Sequence, residues 1–376
     1  MTSSASSTGS ADLRARVRTM MEAHWRPDGH TVPNAGVYPW QWLWDSCFHA
    51  IIWAELGEPE RAVTELRSAL SVQDELGFVP HIRYAGMPSP HADLWGRPTT
   101  SSITQPPMYG HAVAELGRRG IEVPDDVRDR AVQGVRFLLD HRRRTAGGLV
   151  TVVHPWETGC DDSPRWDHWV PDPWTVDRWF DVKGALLATV ERAPGGAPLS
   201  NPSFAVAPAG FNALIAWNAR ELGLDEEADE LAEALAARWH PALATWVDDG
   251  PSATTSGRVR TVDALLPALV VPATHEAQRV AARHALLDPT AFAASFGPPS
   301  VHRAEHAFDP RGYWRGSAWP QLTYLLWRAG IAELGPRLVS GAEHSGLAEH
   351  WHPDSGEGLG ARPQSWTGLA IVVTED

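Results

Sequence analysis

The sequence has only two cysteines, Cys47 and Cys160, in 376 residues. That excludes a disulfide scaffold and falls short of a metal cluster. No run approaches the roughly 18 apolar residues of a membrane-crossing helix. The first ten residues, MTSSASSTGS, contain no apolar signal-peptide core. The expectation is a cytoplasmic protein with a disordered tail over 1–10 and one domain over 11–376. Positive charge is also scarce, with 32 Lys plus Arg against 46 Asp plus Glu and a net charge of -14. Nucleic acids and anionic membranes select clustered cations, so neither is expected as a partner. There is no Gly-rich phosphate loop of the usual forms, no HExxH and no Gly-x-Ser-x-Gly. The 17 histidines, HWH at 350–352 included, fall into no ligand spacing, so neither a metal nor a cofactor is expected. Oligomeric state is not legible.

Alternating strand patterns are nearly absent, and helical periodicity dominates. PERAVTELRSALSVQDEL (59–76) has Pro59 in its first turn and Gly77 past its end. PDDVRDRAVQGVRFLLDHRRR (124–144) repeats the design with basic residues in its last turn. Further helices are expected over 11–25, 45–56, 104–118, 174–192, 210–223, 225–238, 274–286, 318–334, 336–346 and 366–374. Short connections alternate with long ones at 26–44, 77–103, 145–173 and 287–317, rich in Pro, Gly, Trp and acids. This rhythm suggests an all-α double ring of helices, with the long loops gathered at one end. An α-solenoid would show similar periodicity.

The abundance is in tryptophan: 19 residues. Indole faces match the C–H faces of a pyranose, and the indole N–H reaches hydroxyls. Some of the 19 must instead fill the core. HPWETGCDDSPRWDHW (154–169) concentrates three indoles, two histidines and four acids around Gly159 and Pro164. Buried acids need partners and exposed indoles are wasteful, so the segment suits the wall of a polar pocket. Three more stretches share this character. YPWQWLWDSCFHA (38–50) places Trp40, Trp42, Trp44 and Asp45 before a helix, where Asp45 could be either a cap or a sugar ligand. TSSITQPPMYG (100–110) presents Gln105 before two prolines. GYWRGSAWPQLTYLLW (312–327) and HWHPDSGEGLGARPQSWTGLA (350–370) complete the set, with Glu357 between Gly356 and Gly358.

Glycosidic hydrolysis needs a protonated carboxyl for the leaving oxygen and an ionised one to activate water or attack. Asp161 and Glu357 are the candidates, each in a glycine-punctuated, Trp-flanked loop. Asp162 adds a like charge that would help keep one member of its pair protonated. Two other classes stay open on these residues: a sugar-binding protein without turnover, and a lyase or epimerase using His or Tyr as base.

The pieces YPWQWLWDSCFHA, GFVPH (77–81), SSITQPP, HPWETGCDDSPRW, GYWRGSAWP and SGEGLGARPQSWT resemble the inverting α-glycosidases of glycoside hydrolase family 63. The nearest likeness is to small bacterial members that hydrolyse glucosylglycerate and mannosylglycerate; trehalases of family 37 are more distant. The resemblance implies an (α/α)6 barrel, Asp161 as general acid, Glu357 as general base and hydrolysis of a small α-glucoside, glucosylglycerate foremost, with inversion. Alternatives are mannosylglycerate, a short oligosaccharide or a glycosylated metabolite. It implies a sugar subsite lined by Trp42, Trp44, Asp45, Gln105, Tyr313, Trp314 and Trp319, with Tyr38 nearer the aglycone. Trp156, Glu157, Arg315 and Trp366 fall within the motifs and join the pocket. The chain departs from the group after the acid: 172–215 is compact and no tyrosine stands between Tyr109 and Tyr313. Arg178 and Arg192 are the cations available there for an acidic aglycone.

Overall fold

The structure is a computed structural model that describes residues 4–84, 88–253 and 258–374. Six inner elements form a ring: Leu43–Glu55, Tyr109–Arg118, Ala209–Glu221, the 3₁₀ helix Asp263–Leu269, Pro320–Arg328 and the 3₁₀ helix Ser365–Thr374. Each packs against the next, and Ser365–Thr374 packs back on Leu43–Glu55, which closes the ring. Outside lie Ser4–His24, Pro59–Leu70, Asp125–Arg136, Asp225–Ala236, Glu276–Leu287 and Leu334–Ser345, each against an inner partner. The architecture is an (α/α)6 barrel.

Sequence explains the division. In Leu43–Glu55 every residue except Ala54 is buried, and in Ala209–Glu221 burial is continuous from Ala209 to Ala219. Such helices are apolar nearly all round and belong inside. Asp125–Arg136 buries only Val127, Ala131, Gly134 and Val135, one stripe at helical spacing, so its charged face meets water. Pro59 sits in the first turn of Pro59–Leu70, where its missing N–H costs nothing. That helix ends at Leu70 rather than 76 because the Asp74 carboxylate accepts from the N–H groups of Leu76 and Phe78, an alternative to helical bonding.

Three further differences from the sequence reading stand out. The first helix begins at Ser4, inside the segment expected to be a disordered tail; Ser and Thr suit helix starts, and residues 1–3 lie outside the described set. The inner element Asp263–Leu269 was not anticipated, because its continuous apolar run has no period and contains Pro267. Around Arg136 the expected long helix continues only as a π turn, Phe137–His141.

Among the described residues, five short two-stranded antiparallel ribbons brace the loops. Gln41–Trp42 pairs with Ile82–Arg83, and His350–Trp351 pairs with Gly358–Leu359. Among the described residues, no helix is long and apolar enough to cross a membrane.

Candidate active site

The long loops meet at the N-terminal ends of the inner helices and enclose a cavity with about 410 Å³ of atom-free space, partly open to solvent. Trp42, Trp44 and Asp45 reach it from the start of Leu43–Glu55, and Gln105 from just before Tyr109–Arg118. Gly159 and Asp161 come from the loop ahead of Ala209–Glu221, and Tyr313 and Trp314 from the one ahead of Pro320–Arg328. Glu349, Gln364 and Trp366 come from the last connection and the helix it feeds.

Asp161 has its carboxyl pKa raised to about 7, first by desolvation, then by the charges of Asp162 and Glu349, against the lowering effect of Lys183. A carboxyl held there is protonated through much of the neutral range, as a proton donor requires. Asp162 points elsewhere: it pairs with the Lys183 ammonium at 3.0 Å and does not line the cavity. The loop is fastened from behind. Trp179 Nε1 donates to the Asp161 carbonyl at 2.9 Å, and Gly159 has φ +71°. A Cβ at Gly159 would lie 2.5 Å from the Trp44 ring, so glycine alone permits this approach.

The second carboxylate of the cavity is Glu349, which the sequence reading missed. The Tyr38 hydroxyl donates to its Oε1 at 3.0 Å and the Tyr313 hydroxyl at 3.4 Å, while the Ala361 N–H donates to Oε2 at 2.8 Å. Burial raises the pKa of Glu349; these three donors oppose the rise by favouring its charged form. Both phenols are pushed up, by burial first and Glu349 second, and so remain donors. Gly360, at φ +69°, leaves room that a Cβ would fill against the Glu349 carboxylate. Among the described residues no hydrogen bond joins Asp161 to Glu349.

Glu357, expected as the base, is corrected by this geometry. It stands at the tip of the ribbon that starts beside Glu349, about half exposed, and pairs with Arg311 (Nη2–Oε1 2.7 Å). That pairing lowers its pKa, and it is not part of the cavity wall.

The sugar-facing wall carries polar groups with no protein partner: Trp42 Nε1, Asp45 Oδ1, Trp314 Nε1 and Gln364 Oε1. Buried donors and acceptors left unpaired are costly unless a ligand completes them. Asp45's carboxyl is held well above the usual range by burial and then by Glu349. The Gln105 carbonyl oxygen accepts from the Trp44 N–H at 3.3 Å. Trp314 has φ +60°, rare for a bulky residue, and is held by stacking on Trp319 at 3.7 Å and 4°.

The remaining expected residues divide. Trp366 lines the cavity and donates Nε1–H to the Glu349 carbonyl at 3.0 Å. Tyr38, expected near the aglycone, also lines this cavity. Trp319 is behind it, sandwiched between Trp314 and His350. Arg315 forms a double bond pair with Asp167 at 2.9 and 2.7 Å and stacks on Trp174, bracing the Asp161 loop from outside the cavity. Glu157 is fully buried, paired with Arg142 (2.8 Å) and accepting from the N–H groups of Thr104 and Val153. It cements two loops and reaches no ligand space. Besides Glu349, reading from sequence overlooked Pro33, Gly159 and Gln364; only Glu349 left a signal, an acid directly preceding the buried His350–Trp351 pair.

Trp156 belongs to a second cavity, with about 650 Å³ of atom-free space, that shares Trp42, Gln105 and Asp161 with the first. Among the described residues, no group of three His, Cys, Asp or Glu is placed to hold a metal ion.

A family model described as the mannosylglycerate hydrolase MGH1-like glycoside hydrolase domain matches residues 38–367. A mannosylglycerate hydrolase of Thermus thermophilus is 31% identical over 92% of this chain and 96% of its own length. A glucosylglycerate hydrolase of Mycolicibacterium hassiacum is 29% identical over 89% and 92%. The crystal structure of a family 63 mannosylglycerate hydrolase from Thermus thermophilus, in complex with Tris and D-glycerate, superposes with a TM-score of 0.84 at 27% identity. It covers 96% of this chain and 100% of that one. A neutral trehalase of Saccharomyces cerevisiae shares the fold at 14% identity and a TM-score of 0.56, over 97% of this chain and 79% of its own.

Proposed function

This chain belongs to the mannosylglycerate hydrolase MGH1-like glycoside hydrolases, and from that premise we propose that it cleaves the α-glycosidic bond of a small glucoside or mannoside with inversion, using Asp161 as general acid and Glu349 as general base. The observation that carries the assignment is one cavity holding both carboxyls, Asp161 raised to about 7 and Glu349 clasped by three donors.

In this reading the glycone lies against Trp44 and Trp314, and its hydroxyls complete Asp45, Trp42 and Gln364. Glu349 takes a proton from water as the oxygen bonds to the anomeric carbon. The bond to the leaving oxygen breaks, and that oxygen takes the Asp161 proton. One displacement inverts the anomer; Glu349 then releases its proton and Asp161 regains one from solvent. Glu349 sets negative charge beside the ring that gathers positive charge in the oxocarbenium-like transition state, and Asp45, kept towards its neutral form, offers hydrogen bonds to the sugar hydroxyls.

The test compares Glu349→Gln with Glu357→Gln on glucosylglycerate, mannosylglycerate and methyl α-glycosides, with NMR of the first-formed anomer. Glu349→Gln is expected to lose about 100- to 10,000-fold in kcat while retaining sugar binding; Glu357→Gln should keep wild-type turnover and release β-sugar. Loss confined to Glu357→Gln overturns the assignment of the base. First-formed α-sugar overturns inversion.

A further inference from the structure

We propose that the cavity beside the sugar site is an aglycone site for a large, uncharged, aromatic or apolar leaving group, and not for a short carboxylate such as glycerate. The proposal rests on the reading of Asp161 as the acid, because that residue fixes which side of the sugar the leaving group occupies. Asp161, Trp42 and Gln105 line both cavities. The glycosidic oxygen must lie within reach of the Asp161 proton, so the group it carries extends into the second cavity.

That cavity is built of rings. Trp40, Trp95, Trp156 and Phe180 line it together with Ile82 and Leu94. Trp95 meets Trp156 edge-on at 5.8 Å and donates its N–H to the Tyr84 hydroxyl at 2.8 Å, so its polar end is satisfied and its face is free for apolar contact. The aromatic wall continues to the surface. Phe180 is 56% exposed and Val176, one helical turn away on Val176–Ala188, is 58% exposed; they rank among the few large apolar side chains left in water. An apolar lip at the mouth of an aromatic cavity marks a ligand surface. A short hydroxy acid would leave most of that wall bare.

Charge points the same way. Among the described residues lining the cavity there is no Lys, Arg or Tyr. The two arginines available from the following segment are engaged elsewhere. Arg178 donates to the carbonyls of Asp172 and Pro173, and Arg192 to Ser102. The one lysine of the chain, Lys183, lies behind Trp156 with its ammonium 5.2 Å from that ring and bonded to Asp162. His81, buried against Trp42 and Trp95, has its pKa lowered to about 3 by desolvation and stays neutral. His91 lines the cavity with its ring edge-on to Trp40; among the described lining residues a carboxylate placed here would face the Asp161 carboxyl and meet no Lys or Arg to offset its desolvation.

The experiment uses alkyl leaving groups of similar acidity: methyl, 2-phenylethyl and 2-(2-naphthyl)ethyl α-glucosides and α-mannosides, with glucosylglycerate and glucosylglycerol as a pair differing in the carboxylate. In the preferred sugar series, kcat/KM is expected to rise tenfold to a hundredfold from methyl to naphthylethyl. Glucosylglycerate is expected to do no better than glucosylglycerol. Phe180→Ser, on the lip, should cut the naphthylethyl-to-methyl ratio of kcat/KM at least threefold. In parallel, quenching of tryptophan fluorescence by 2-(2-naphthyl)ethanol should saturate in the wild type and weaken in Phe180→Ser. A tenfold preference for glucosylglycerate over glucosylglycerol, or no gain from methyl to naphthylethyl, overturns the proposal. If no α-glycoside is turned over, the hydrolase reading fails and the alcohol titration still decides: saturable, Phe180-dependent quenching upholds the cavity's chemistry, and its absence refutes it.

Discussion

Replacing Asp161 by Asn removes an ionisation that the folded state resists, and so separates catalytic from structural fitness. The carboxyl pKa rises from 3.8 to about 7 on folding. Between those values the unfolded chain is ionised and the native one is not, so stability falls as pH rises; the cost is absent below 3.8 and complete above 7. Taken in full, the shift corresponds to about 4 kcal/mol. Asp161 keeps partial access to solvent in the open cavity, and screening reduces the expectation to about 2 kcal/mol. With an unfolding entropy of about 0.8 kcal/mol/K for 376 residues, that is a gain in Tm of about 2–3 °C. Melting curves of Asp161→Asn and wild type from pH 4.5 to 8 should show a gain that grows with pH and levels off above 7. A gain independent of pH, or a loss at pH 8, would refute the claim that burial and neighbouring acids hold this proton. Activity should fall by orders of magnitude at every pH.

The wild-type pH profile of kcat/KM should be bell-shaped, with its alkaline limb near 7, where Asp161 loses its proton. Tyr38→Phe removes a donor that favours ionised Glu349, so its acid limb should move to higher pH; an unmoved limb would deny Glu349 the role of base. Lys183→Met removes the charge that lowers the Asp161 pKa, so the alkaline limb should move upward. Glu157→Gln leaves buried Arg142 with no carboxylate and should cost about 3–5 kcal/mol in denaturant unfolding, with KM little changed in whatever protein remains folded; a raised KM at full stability would restore Glu157 to the ligand site.

What the sequence reveals and what it hides follow from the range of the forces involved. The outer helices are legible because a stripe such as Val127, Ala131 and Val135 is a local pattern. Asp263–Leu269 is not, since a fully buried run has no period and is decided by what surrounds it. Asp161, Asp45, Gln105 and the indoles before the inner helices were recognisable from polar and aromatic residues interleaved on turns. The proposed base was not. Glu349 and Glu357 belong to the two ends of one ribbon, and the glycines flank Glu357. Pairing of His350 with Leu359 places Glu349 against the barrel and carries Glu357 out to Arg311, a distinction made by tertiary contacts alone. Glu157 misled for a related reason: its partner Arg142 stands 15 residues earlier, beyond the reach of a local pattern.

Closure of the inner ring has a consequence for how the molecule is made. The sixth stave, Ser365–Thr374, wedges between Pro320–Arg328 and Leu43–Glu55, and the Ser365 hydroxyl meets His49 Nε2 at 2.6 Å. That contact joins residues 316 apart in sequence, so during synthesis it can form only after the last stave has emerged. During synthesis the first five staves present an open apolar seam until that segment leaves the ribosome, the interval in which aggregation competes with folding. Trp366 and Glu349 take their places in the same event, so the cavity they line is complete only once the ring has closed.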